Sequence, residues 1–191
     1  LRSLPDVSVV IFYGIGNLPL DWKMESIVLE QAMDALHILR STTIRRRDYY
    51  TRNIRKLLER RRTVNADASL QLNDKLRQCM IERLDRLDTL EGEVHRYNGI
   101  VDERVKVFHT LKKVSKQVDN LINQLKKLRK LIEVKNCPAA RAQEGVIFNK
   151  ATNLMAKVKS VDQRHDKLFT EQKQTYLKIK LLIDEVILNW R

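Results

Sequence analysis

A heptad pattern runs almost without interruption from Met80 to Ile132, and no proline falls inside it. One set of positions is Met80, Leu87, Val94, Val101, Phe108, Ser115 and Ile122. The alternating set is Arg83, Leu90, Tyr97, Arg104, Leu111, Val118, Leu125 and Ile132, and twelve of these fifteen residues are apolar. Apolar residues spaced three and four apart form one stripe on a helix, which must be buried against other helices. From residue 100 onward the position before each core site is also apolar: Ile100, Val107, Val114, Leu121 and Leu128. A face of that width fits a bundle of three or more helices better than a two-stranded coil. The expected class is therefore all-α: an elongated antiparallel coiled coil or three-helix bundle.

Composition agrees with this. Five glycines and three prolines occur in 191 residues, charged residues make up 32%, and aromatics 6%. Long solvated helices with aliphatic seams have that balance. No apolar run reaches the roughly 18 residues that span a bilayer. The chain starts at Leu1 and ends within a helical pattern at Trp190 and Arg191, so it reads as a segment of a larger protein. The two cysteines, Cys79 and Cys137, would lie roughly 80 Å apart on a helix rising about 1.5 Å per residue. A disulfide needs Cα atoms within about 7 Å. Two free thiols point to a reducing, intracellular setting, cytoplasm or nucleus.

Residues 1–20 read as a short extended arm, with a strand-like Val7–Tyr13 broken by Gly14, Gly16 and Pro19. The rest, 21–191, reads as a helical bundle. Helix 1 spans about 21–62, with an N-cap at Asp21 and a first-half seam of Met24, Ile27, Val28, Met33, Leu36 and Leu39. Helix 2 spans about 70–134, capped by Asp67 or Ser69. Gly92 and Gly99 lie inside it at a cost of about 1 kcal/mol each, so a kink or break is expected there. Pro138 ends this helix, and a loop is expected through about Gly145. Helix 3 spans about 146–190, with Ile147, Ala151, Leu154, Val158, Val161, His165, Leu168, Gln172, Ile179, Leu182 and Val186 on its seam.

Short turns make neighbours antiparallel. Pivots near residues 66 and 140 lay helices 1 and 3 along a long second helix. Apolar surface is then left at both ends, which is a common mark of an interface. The expected partners are a second copy of the chain or partner helices. The net charge of +13 is concentrated in two stretches. Residues 41–62 hold nine Lys/Arg against two acids, including Arg45, Arg46, Arg47, Arg52 and Arg55. The fold-back sets Arg45, Arg46 and Arg47 beside Glu82, Asp85 and Asp88, which makes this patch the secondary one. Residues 126–159 hold nine Lys/Arg against two acids, among them Lys126, Lys127, Arg129, Lys130, Lys135, Arg141, Lys150 and Lys157. The facing segment there is also basic, so this tip is the primary expected site for an anionic partner: an acidic protein, a membrane or a nucleic acid.

Signatures of catalysis are missing from the sequence. His37, His95, His109 and His165 form no pair at metal-ligand spacing. No G-x-S-x-G elbow occurs, nor a glycine loop ending in Lys-Ser or Lys-Thr. No enzyme activity, cofactor, metal or small-molecule substrate is expected. His165 falls on the seam, where the fold-back places it near Ser115 as a buried polar layer that fixes helix register. The expected function is a structural interaction module that dimerises or scaffolds an assembly. Two alternatives stand beside it. One is a membrane-surface module, similar in architecture alone to BAR domains. The other is a microtubule- or nucleic-acid-binding coiled coil. Phe148 is the only aromatic residue in 126–159, so contacts to a nucleic acid would go mainly to phosphates.

Overall fold

A computed structural model of the chain describes residues 20–60 and 66–188. Within them lie three helices: α1, Leu20–Glu59; α2, Ala66–Lys135; and α3, Pro138–Leu188. No strand occurs among the described residues, and the fold is an all-α three-helix bundle. The expected arm and its strand fall on residues 1–19, outside the described residues.

The helix boundaries differ from expectation in informative ways. α2 begins at Ala66 rather than near 70, so Asp67 lies in its first turn, where a carboxylate favours the positive end of the helix dipole. α2 also runs unbroken through Gly92 and Gly99. Both glycines are exposed, and a Cβ added at either would meet nothing within 4 Å. Burial of the neighbouring Leu90, Val94, Tyr97 and Ile100 outweighs the cost of two flexible residues. Replacing both with alanine is expected to stabilise the chain by about 1–2 kcal/mol, read as a higher urea midpoint at unchanged slope.

The largest correction concerns the connection between α2 and α3. The loop expected through Gly145 is two residues long, Asn136 and Cys137. Asn136 has φ 42°, and its amide donates to the Ile132 carbonyl at 3.0 Å. Asparagine is one of the few residues that tolerates this left-handed geometry, which closes a helix end. Pro138 then disfavours helical geometry at Cys137 and supplies a preset first residue for α3. The Arg141 amide donates to the Cys137 carbonyl at 3.3 Å, which starts the new helix. Ala139–Glu144 is a run of good helix formers, so α3 continues across Gly145.

The described residues divide into two compact units, 23–60 and 66–98 with 174–188, and 20–22 with 99–173. In the first, α1 packs antiparallel to the start of α2. Arg40 holds Asp88 at 2.8 Å and also Glu91, while Tyr97 donates its hydroxyl to Glu25 on the earlier turns of α1. The end of α3 packs on the same part of α2 through Lys178–Glu93 at 2.6 Å and Arg86–Glu185 at 3.6 Å. The buried stripe of α1 is Leu29, Ala32, Leu36 and Thr43, whereas Ile27, assigned to the seam from sequence, is half exposed.

In the second unit, α2 and α3 form an antiparallel hairpin. Its core holds Leu111, Val114, Val118, Ile122 and Val158, with Leu154, Met155 and Val161 packed against them. Nearer the turn, Leu125, Ile147 and Ala151 are buried beneath Leu121, Leu128 and Phe148. Each fully buried aliphatic side chain contributes about 1.5–3 kcal/mol. All of them except Met155 and Phe148 are residues that the sequence assigns to the helix seams.

Candidate functional site

The hairpin's turn is built on the second of these apolar clusters. Directly over it Arg129 donates through Nε to Glu144 Oε1 at 3.1 Å. Both side chains are largely covered, at 16% and 23% exposure. Arg129 is therefore a structural cross-link between α2 and α3, contrary to its assignment to the open anion site. Its position was a readable signal, because it falls seven residues after Ile122 and continues the core series. Glu144 also means that the facing segment does supply a counter-charge. Arg141 donates to Asn136 Oδ1 at 2.6 Å and so braces the turn, with its side chain still exposed. Arg129, Ile132, Glu133, Arg141 and Glu144 line a shallow depression at this end.

The lysines of the expected tip are free of such pairs. Lys126, Lys127, Lys130, Lys135, Lys150 and Lys157 are all exposed, and no described ion pair involves them. The sequence reading missed a repeat that continues this set along α2. Leu111-Lys112-Lys113-Val114-Ser115-Lys116 recurs fourteen residues later as Leu125-Lys126-Lys127-Leu128-Arg129-Lys130. Both leucines are buried and all six lysines are exposed. Fourteen residues are two heptads, so the two lysine triplets share one side of the helix, about 21 Å apart.

The three heptad positions that face away from the core carry this further. Between Lys106 and Val134 they hold thirteen residues, every one exposed. Five are lysines (106, 113, 116, 127 and 130), none is Asp or Glu, and the only apolar members are Leu131 and Val134. A solvated helix face ordinarily mixes both signs of charge. Asp119 and Glu133 lie at the flanking position shared by Lys112 and Lys126.

The secondary patch on α1 is placed differently. Arg45, Arg46, Arg52 and Arg55 are exposed, and Arg47 pairs with its neighbour Asp48 at 3.0 Å. Among the described residues no ion pair joins Arg45, Arg46 or Arg47 to Glu82, Asp85 or Asp88. Arg40 makes the crossing instead, one to two turns earlier in the helix.

The expected polar layer is also rearranged. Ser115 and His165 are both buried, but they do not meet. His165 accepts at Nε2 from Arg104 Nε at 3.3 Å, and Arg104 Nη1 donates to Gln172 Oε1 at 2.8 Å. The guanidinium lies 4.4 Å from the centre of the Phe169 ring. Ser115 is eleven residues further along α2, roughly 16 Å away along its axis. The turn at 136–137, in place of the expected pivot near 140, moves the residue facing His165 back by seven positions to Phe108, whose ring lies 6.4 Å from the imidazole and one helical turn from Arg104. Burial and then the Arg104 charge push the His165 pKa down, against weaker opposition from Asp166 and Asp162. The imidazole is accordingly held neutral, as its acceptor role requires. Burial, then Asp166, raise the Asp162 carboxyl.

Among the described residues no cluster of His, Cys, Asp or Glu could hold a metal, and no helix is long and apolar enough to cross a membrane. Cys79 and Cys137 are free thiols. Comparisons with protein-family models, curated proteins and solved structures yield no match.

Proposed function

We propose that this chain is a non-catalytic interaction module of an intracellular protein, which scaffolds or dimerises through helical seams and engages an anionic partner through the lysine-rich hairpin. The supporting observation is the one-signed outward face of α2. Residues 99–173 hold seventeen Lys/Arg against eight Asp/Glu, and the exposed lysines have no acid among the outward positions to compensate them. Like charge gathered in this way raises the local potential and draws polyanions. Self-association is supported by Leu177 and Leu181, one turn apart on α3 and 60% and 70% exposed.

The test is a co-sedimentation panel of anionic vesicles, duplex DNA and an acidic polypeptide at two salt concentrations. The native chain is expected to bind at least one of them, more weakly at high salt, because exposed charges are screened over about 8–10 Å. Reversal of Lys126, Lys127 and Lys130 to Glu should abolish that binding with helical content intact. Native-like binding by this variant to every anion overturns the assignment of the tip.

A further inference from the structure

The outward face of α2 also carries information about which anion it fits. Its charge comes from lysine alone, so it lacks the planar fork that reads guanine edges or clamps phosphate through two hydrogen bonds. It has no Phe, Tyr or Trp on which an unpaired base would stack, and His109 is its one ring. Its two apolar members are not scattered. Lys127, Lys130, Leu131 and Val134 stand at i, i+3, i+4 and i+7, which makes them one contiguous patch on the helix surface. Leu131 is 48% and Val134 79% exposed. The phosphate backbone of a nucleic acid offers these two nothing to bury against, and an acidic chain offers them a surface only where it carries apolar side chains of its own. A bilayer offers headgroup charge to the lysines and an acyl boundary just below it to the valine and leucine. The lysine stems also cover apolar surface while the ammonium groups stay at headgroup level.

We propose that the outward face of α2 from Lys106 to Val134 docks on an anionic lipid bilayer. The two lysine triplets hold the headgroups, and Leu131 and Val134 enter the acyl boundary. This rests on the tip reading above and goes beyond it in two respects. It extends the surface to Lys112, Lys113 and Lys116, outside the tip, and it names the partner class.

The experiment is flotation of the full chain with phosphatidylcholine vesicles, either plain or containing about one-third phosphatidylserine, beside binding to a DNA duplex. The native chain is expected to float with the phosphatidylserine vesicles and not with the plain ones. Each lysine near such a surface is worth about fivefold in binding, so Lys113→Glu with Lys116→Glu should lower vesicle affinity at least about thirtyfold. Leu131→Ser with Val134→Ser should lower it about tenfold, most clearly at high salt, and leave duplex binding unchanged. Circular dichroism checks that each variant keeps its helices, and the milder Lys113→Gln with Lys116→Gln substitutes for a variant that does not. Tighter binding to the duplex than to vesicles, or vesicle binding indifferent to the two serines, overturns the lipid assignment and spares the tip. Native affinity in the Lys113/Lys116 variant overturns the extended surface. Only native affinity in the Lys126/Lys127/Lys130 variant removes the underlying tip reading.

Discussion

Replacing Arg104 with alanine is expected to destabilise the chain by about 3–5 kcal/mol, far more than any substitution on the basic face. Arg104 is 5% exposed, and its guanidinium serves three neighbours at once: His165, Gln172 and the Phe169 ring. Truncation removes a donor from two buried acceptors and also opens a cavity, and both costs fall on the folded state alone. The same reasoning predicts an asymmetry. Arg104→Met combined with Gln172→Leu fills the volume and removes the polar pair together, so it should recover most of the loss or exceed the parent, since buried polar clusters often contribute less than apolar packing of equal size. Urea titration of the two variants checks this. A cost below about 1 kcal/mol for the alanine variant would mean that the layer has no structural weight.

The comparison of Arg104 with Arg129 shows what the sequence disclosed and what it hid. Both lie on the heptad seam, and the seam itself was legible because buried positions repeat at helical spacing: Leu87, Leu90, Val94, Tyr97, Leu111, Val118 and Leu125 are all within 4% of full burial. Hydrophobic period is local, so it survives without knowledge of the fold. Register is not local. It depends on where the chain reverses, and the reversal rests on a left-handed Asn136 followed by Cys137 and Pro138. A few residues of error in that turn moved His165 from Arg104 to Ser115. Charge pairing depends on register in turn, which is why Arg40, not Arg45, Arg46 or Arg47, meets the acids of α2. The one-signed face of α2 needed no register at all. It lies on a single helix, and the repeated Leu-Lys-Lys segments announce it once the sequence is compared with itself at a spacing of fourteen.

Tyr97→Ala is expected to cost about 3–5 kcal/mol, the range for emptying a large buried aromatic site. Tyr97 is 2% exposed and stands where three helices meet. Its hydroxyl donates to Glu25 on α1, and its ring lies 6.3 Å from that of Tyr176 on α3. Glu25 is itself buried, at 8% exposure, so the hydroxyl serves a carboxylate removed from water. A hydrogen bond to a charged group contributes about 1.5–3 kcal/mol, so Tyr97→Phe should recover part of the loss and no more. The two variants separate packing from the polar contact. The consequence for α1 is specific, because that helix contributes Glu25, Leu29, Ala32 and Leu36 to the interior along its first half. Amide exchange should therefore rise first in residues 25–36 of the alanine variant, while residues 111–125 of α2, buried in the hairpin core, keep their protection. Equal loss of protection in both segments would show that the two units unfold together, and that Tyr97 holds the whole chain rather than the attachment of α1.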